Sequence, residues 1–204
     1  MRKKSGNSKE RDFINLIYSH MLYTRAGDNG TTRHFDSKSK DRISKNSCRT
    51  ESLGALDELN SFLGLIKVKA SDVTWSVEGK SLAEIIFWIQ NNLFIVQAEV
   101  AGSDKKIEQG KVVDMETWID SIEKELPPIK TFFISGGTEL ASLLDIARTL
   151  SRKAERRVIK AQEEDSITVD PSTLAFMNRI SSLFYALARL TNHKSGIKEV
   201  PPTY

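Results

Sequence analysis

The sequence predicts an all-α protein, a five-helix up-and-down bundle entered through a polar, glycine-containing loop. Five stretches place apolar residues at three- and four-residue steps. No alternating strand pattern runs longer than a few residues. Segments rich in Gly, Pro, Ser or Asp separate the periodic stretches.

Residues 1–22 read as an N-terminal extension, polar and then briefly amphipathic in "FINLIYSHM", a tail able to dock as one or two helical turns. Residues 23–195 form a single helical domain, and 196–204 a C-terminal tail. The first helix is "SLGALDELNSFLGLIKVKA", where Leu53, Leu56, Leu59, Leu63 and Ile66 line one face. "SLAEIIFWIQNNLFIVQAEVAG" repeats the pattern through Leu82, Ile85, Ile86, Ile89, Leu93, Val96 and Val100, with Gly102 as a C-cap. "SDKKIEQGKVV" reads as a flexible connection. "DMETWIDSIEKEL" then opens on Asp114 as N-cap and stops at Pro127-Pro128. The fourth helix is the long "ELASLLDIARTLSRKAERRVIKAQEE". The fifth, "STLAFMNRISSLFYALARLTNH", begins after Pro171 with Ser172 as N-cap.

At 204 residues, 39% hydrophobic and 28% charged, the chain has the length and composition of one globular domain with a substantial core. A net charge of +3 lacks the basic excess of a nucleic-acid-binding domain. The single cysteine, Cys48, excludes an internal disulfide and a Cys-rich zinc site. No apolar run reaches the roughly 20 residues that span a bilayer, and the longest, "LFIVQAEVA", carries Gln97 and Glu99. The N-terminus lacks the apolar stretch of a secretory signal, and Glu10 and Asp12 count against an organelle transit peptide. A cytoplasmic protein with no nucleic-acid or membrane partner is expected.

Three features bear on chemistry. The stretch "LYTRAGDNGTTRHF" is either slack before the first packed element or a clamp whose backbone N–H groups wrap an anion. Arg148, Arg152 and Arg156 recur every four residues on the fourth helix, at the edge of its apolar face, with Glu155 one residue off the stripe. Such a stripe is either a solvated face or a row of guanidinium forks suited to a triphosphate, since Arg engages phosphate oxygens two at a time. "FFISGGT" places Gly136-Gly137 before a helix, where free N–H groups favour an anion. On the fifth helix Asn178, Arg179, Ser182, Arg189 and Asn192 interrupt an apolar sequence, as a strip facing a ligand or partner would.

Taken in order, these segments resemble the PduO-type ATP:cob(I)alamin adenosyltransferases. "YTRAGDNGTT" resembles the family's loop Thr-x-x-Gly-Asp-x-Gly-x-Thr. "RISKNSCRTESLGALDELNSFLGL" resembles its Lys-containing segment and Gly-x-x-Asp-Glu-Leu-Asn helix start. "FFISGGTELASLLDIARTLSRKAERRV" resembles its Phe-x-x-x-Gly-Gly stretch and Arg-x-x-x-Arg-x-x-Glu-Arg helix, and "MNRISSLFYALARLTN" its closing helix. The match runs from about Tyr23 to Asn192.

The resemblance implies a ferritin-like, adenosyltransferase-like five-helix bundle, assembled as a homotrimer with active sites between subunits. It implies transfer of the 5′-deoxyadenosyl group of ATP to the cobalt of cob(I)alamin, with release of triphosphate. ATP would be held by Thr24, Arg25, Gly27, Asp28, Gly30, Thr31 and Thr32, with Lys45 reaching the phosphates. Arg152, Glu155, Arg156 and Asn178 would face the nucleotide. Arg148, Arg152, Asp57 and Phe132 would carry catalysis, with Asp57 and Arg148 bridging subunits. Phe132, Arg179 and Ser182 would meet cobalamin, Phe132 displacing the lower axial ligand of cobalt. Mg²⁺ would be carried mainly by the ATP phosphates, with Glu155 the protein carboxylate considered for it. A cobalamin reductase and an adenosylcobalamin-dependent enzyme are the further partners implied. The chain departs from the family pattern at Arg25-Ala26-Gly27, Asn29, Ser135, Arg152-Lys153 and Ser182. Those departures leave room for a nucleotide-gated cobalamin carrier with little activity, and a ligand-free helical scaffold is the third reading.

Overall fold

Local capping fixes the helix boundaries. The computed structural model describes residues 23–37, 41–165 and 167–204, so the docking tail read in residues 1–22 lies outside it. The described residues form α1 (Cys48–Lys69), α2 (Leu82–Val100), α3 (Gln109–Glu125), α4 (Glu139–Glu164) and α5 (Pro171–Lys194). Ser47, Ser81 and Thr138 cap α1, α2 and α4 by accepting a backbone N–H in the first turn, and Ser81 with Glu84 closes a full capping box. Two short antiparallel pairs accompany the helices: β1 (Thr31–Thr32) with β2 (Ile43–Ser44), and β3 (Ser76–Val77) with β4 (Lys80–Ser81).

Cross-links between helices give the topology. Arg157–Glu51, Lys153–Glu58 and Lys69–Glu139 run α1 antiparallel to α4. Arg49 Nε to the Val100 carbonyl and Gln90 Nε2 to the Asn60 carbonyl set α2 antiparallel to α1. Asn178–Glu155 and Asn192–Thr138 set α5 antiparallel to α4. Ser172–Gln109, Arg179–Glu116 and Lys194–Glu125 place α3 beside α5, running the same way. Direction therefore alternates along the chain, and the bundle has two ends. One end gathers the starts of α1, α3 and α5 with the ends of α2 and α4; the other end gathers the opposite termini.

The core lies where the predicted stripes meet. Leu56, Leu59, Leu63 and Ile66 of α1, Ile85, Ile89 and Leu93 of α2, and Phe176 and Phe184 of α5 are buried. Leu53 stands at the margin, partly buried. Each such side chain contributes about 1.5–3 kcal/mol by leaving water. Trp88 meets Trp118 edge-on at 4.9 Å and Phe176 at 5.8 Å, joining α2, α3 and α5.

Three helix starts differ from the sequence reading. Helix α1 begins at Cys48, four residues before the predicted stretch, because Ser47 caps it there. Helix α3 begins at Gln109, not after Asp114, and its N-cap Glu108 makes no side-chain capping bond. The preceding segment is anchored: Ile107 is buried and its N–H donates to Thr173 Oγ1 at 3.2 Å. Helix α5 is capped by Asp170, which accepts from Ser172 N at 2.9 Å, and Pro171 occupies the first turn, where its missing N–H costs nothing. Gly102 follows the α2 cap at φ +92°, as a C-terminal glycine should.

Candidate active site

The glycine loop is a built hairpin. Bonds from Asp28 N to the Arg25 carbonyl (3.2 Å) and Gly30 N to the Gly27 carbonyl (3.1 Å) form two successive turns. Register Thr31–Ser44 and Thr32–Ile43 then brings Lys45 back, its N–H donating to the Gly30 carbonyl at 2.9 Å. The two glycines serve different ends. Gly30 sits at φ +77° with open space around it, so backbone conformation selects it. Gly27 lies under the Lys45 ammonium, which can swing aside, but a β-carbon there would also stand 3.2 Å from the Thr31 carbonyl oxygen, so the backbone's close approach favours glycine.

Arg42, which sequence reasoning passed over, braces the hairpin with Nε to Thr31 Oγ1 (2.7 Å) and a second bond to the Thr31 carbonyl (2.8 Å). Thr31 Oγ1 donates to Asn29 Oδ1 at 2.7 Å, and Thr24 Oγ1 accepts from Ala26 N at 3.4 Å. Arg25 lies over the Tyr23 ring. Thr24, Arg25, Asp28 and Lys45 are exposed, and Thr32 is half-buried.

The hairpin is fastened to the end of the bundle where α1 begins. Phe35 N donates to the Ala101 carbonyl (2.9 Å), Asp36 pairs with Arg49 (2.9 Å), and His34 Nε2 stands 3.3 Å from Thr50 Oγ1. Arg49 N donates to Asp165 Oδ2 just past α4. Burial, and then the Arg49 guanidinium, lowers the His34 pKa from 6.5, while Asp36 and Asp165 pull the other way.

The arginine stripe borders the core on α4, between buried Ala147, Ser151, Ala154 and Val158. Arg148 pairs with Asp145 at 3.0 Å and its guanidinium lies 6.0 Å from the Tyr185 ring centroid. Arg156 reaches back to the Arg152 carbonyl at 3.1 Å. The Arg152 guanidinium is exposed and has no hydrogen-bond or ion-pair partner among the described residues. Glu155 Oε1 accepts from Asn178 Nδ2 (3.0 Å), so α5 joins the same strip. Arg179 turns toward α3, pairing with Glu116 at 2.8 Å while donating to Asn178 Oδ1. Ser182 is exposed. Asp57 is exposed on α1 and makes no pair with Arg148, whose partner within the chain is Asp145.

At the opposite end of the bundle lies a cavity of about 960 Å³, walled by the connection 129–137, by Arg148, Tyr185 and Arg189, and by the C-terminal residues Ile197–Val200. Phe132 is 81% exposed on its wall. Of the three residues assigned to cobalamin, Phe132 lines this cavity, whereas Arg179 and Ser182 do not. The paired glycines are not an open anion site. Asn192 Oδ1 accepts from Thr138 N (3.0 Å), Thr138 Oγ1 accepts from Ala141 N, and Asn192 Nδ2 donates to the Gly136 carbonyl (2.8 Å). Asn192 thus takes the place an anion would occupy, and a β-carbon at Gly137 would overlap its amide. Arg189 and Asn192 were visible as polar interruptions of α5; Tyr185 and Glu199 carried no signal of their own.

A five-helix bundle with a cation-bearing hairpin at one end, an arginine strip along its side and an aromatic-walled cavity at the other end defines a class: an all-α bundle that carries a cationic loop and a separate aromatic-walled cavity. Comparison makes the class specific. Residues 22–191 match the family model described as cobalamin adenosyltransferase. The corrinoid adenosyltransferase of Bacillus subtilis is 38% identical over 183 residues, covering 88% of this chain and 90% of that one. The corrinoid adenosyltransferase PduO of Citrobacter freundii is 35% identical over 84% of this chain, which spans half of that longer protein. A variant PduO-type ATP:corrinoid adenosyltransferase from Lactobacillus reuteri, solved with cobalamin and ATP, superposes with TM-score 0.78 at 31% identity, covering 90% of this chain and all of that one. The chain belongs to the cobalamin adenosyltransferase family. These likenesses support the enzyme reading and not the carrier alternative.

Proposed function

We propose that this corrinoid adenosyltransferase assembles its active site between two copies of the chain, as a homotrimer. The reaction transfers the 5′-deoxyadenosyl group of ATP to the cobalt of cob(I)alamin: a Co–C bond forms, the C5′–O bond breaks, and triphosphate leaves with the electron pair. Reduced cobalt is itself the nucleophile, so no general base is required. The protein's work is alignment and stabilisation of the departing charge.

The observation that carries the shared site is a separation. The hairpin is fastened beside Asp165, past the end of α4, whereas Arg148 stands at the cavity. Seventeen residue steps separate Asp165 from Arg148 along α4, about 25 Å at 1.5 Å per residue. A hairpin from one subunit meeting the α4–α5 strip of the next removes that distance. In this arrangement Thr24, Gly27, Asp28, Gly30, Thr31, Thr32 and Lys45 wrap the triphosphate, and Arg152, without a partner among the described residues, joins them from the adjoining copy. Asp57, exposed on α1, pairs across the interface with Arg148. Phe132 stands beneath the corrin and keeps a lower ligand from cobalt.

Magnesium enters with the nucleotide. Glu155, the carboxylate between Arg152 and Arg156, accepts a bond from Asn178 through Oε1 and keeps Oε2 for a cation whose remaining coordination the phosphates would supply. The direct test is incubation with ATP, Mg²⁺ and chemically reduced cobalamin. A light-sensitive cobalt–carbon absorption spectrum is expected; its absence with both substrates bound would leave the carrier reading standing.

A further inference from the structure

The connection from Pro127 to Gly137 carries Phe132 yet contains no helix or strand. Its position depends on what grips it. Three grips are present: Ile134 N donates to the Val200 carbonyl (2.9 Å), Asn192 Nδ2 holds the Gly136 carbonyl (2.8 Å), and the Arg189 guanidinium lies 5.5 Å from the Phe133 ring centroid. Arg189 also donates to the Pro127 carbonyl at 3.0 Å, so one side chain braces both the start and the middle of the connection.

Arg189 is held in turn by the C-terminal tail. Its Nε and Nη2 meet the two Glu199 oxygens at 2.7 and 2.8 Å, with side-chain exposures of 7% and 21%. This is a two-pronged, charge-assisted pair in a poorly solvated place, the geometry in which such pairs are strongest. The Glu199 hydrogen bond foremost raises the Arg189 pKa, and burial opposes it. Two of the three grips on the Phe132 connection therefore run through residues 197–200, either by the Val200 carbonyl or by Glu199 acting on Arg189.

We infer that Glu199 is a positioning residue for cobalamin: through Arg189 it sets the Phe132 connection at the distance the corrin ring requires. The tail is a working wall of the site. Without Glu199, a buried guanidinium loses its counter-charge and tends toward water, leaving Phe133 and Pro127 unbraced. Phe132 then samples a range of positions, and a lower ligand regains access to cobalt. The nucleotide hairpin, at the other end of the bundle, is untouched.

This inference rests on the adenosyltransferase reading, so the wild-type protein is measured first; failure to form the light-sensitive product there would sink that reading and not the tail's role. With wild-type activity in hand, Glu199→Ala, Glu199→Gln and a chain ending at Gly196 are compared. The four-coordinate fraction of bound cob(II)alamin is read by absorption and electron paramagnetic resonance, and KM is measured for each substrate. Glu199→Ala and the shortened chain should raise the cobalamin KM on the order of tenfold and lower the four-coordinate fraction, while the ATP KM stays within about twofold. Glu199→Gln, which keeps one acceptor, should fall between. Combining Glu199→Ala with Phe132→Ala should add little to Phe132→Ala alone, because both act through one ring. An unchanged cobalt spectrum, additive losses, or parallel rises in both KM values with a falling melting temperature would each overturn the inference.

Discussion

At the hairpin end of the molecule, backbone turns and short polar bonds, Arg42 on Thr31 and Arg49 on Asp36, hold a loop whose Thr24, Arg25, Asp28 and Lys45 face solvent. At the cavity end, an exposed phenylalanine stands on an irregular connection fixed by buried polar anchors, Arg189–Glu199 and Asn192. On the function proposed above, the difference follows from what each end would bind. A triphosphate is recognised by donors that can trade water for phosphate oxygens. A corrin ring is recognised by shape, so its walls must be placed before it arrives. One end can adapt; the other has to be set in advance.

The largest effect that would sharpen this contrast is at Arg152. Its guanidinium has no partner among the described residues, so Arg152→Ala should leave the melting temperature unchanged. It should still cut kcat/KM for ATP by an amount on the order of 2–4 kcal/mol. Arg152→Lys should recover only part, since the fork is lost. Steady-state kinetics for ATP within twofold of wild type would mean the stripe is a solvated face.

Glycine substitutions probe the two ends against each other. At the cavity end, Gly137→Ala places a β-carbon against Asn192 at φ +102° and should cost roughly 1–3 kcal/mol of stability, read by thermal melting. At the hairpin end, Gly30→Val meets open space, and its penalty of about 1–2 kcal/mol for a left-handed backbone falls on a local element. ATP binding should suffer while the melt barely moves. Hydrogen exchange across residues 24–37 should slow on adding ATP; exchange already slow without nucleotide, or a Gly30→Val chain that melts early, would make the hairpin a structural strap.

The smallest effect is acid sensitivity of hairpin docking. The folded pKa of His34 lies below its ordinary 6.5, so the docked state favours the neutral ring. That contribution is complete above 6.5 and is lost as pH falls through the lower folded value. Between about pH 7.5 and about pH 5, ATP affinity should weaken by a factor of a few, and His34→Asn should flatten the profile. An identical profile in the variant would remove His34 from the account.

How much of this was legible in sequence depended on whether a signal was local. The stripes of α1, α2 and α4 are periodic and appear at the predicted residues, and the loop motif marked the hairpin. The start of α3 was hidden because Gly110, a poor helix former, falls in its first turn, while Ile107 is buried and bonded to Thr173, 66 residues away. The two glycines of "FFISGGT" looked like an anion site because nothing in their neighbourhood reveals that Asn192 fills it. Glu199 stood in a tail with no pattern, and only its contact with Arg189 gives it meaning. Local periodicity is written in the chain; a long-range polar partner is not.

The central claim is that one site is built from two chains, and mixing inactive variants tests it most directly. A Gly30→Val chain keeps its arginine strip, and an Arg152→Ala chain keeps its hairpin. Co-expressed and purified as mixed assemblies, they should regain about a third of wild-type activity, since in a head-to-tail three-membered ring that contains both variants one interface in three joins a sound hairpin to a sound strip. No recovery in assemblies shown to contain both variants would place hairpin and strip in the same chain and contradict the account.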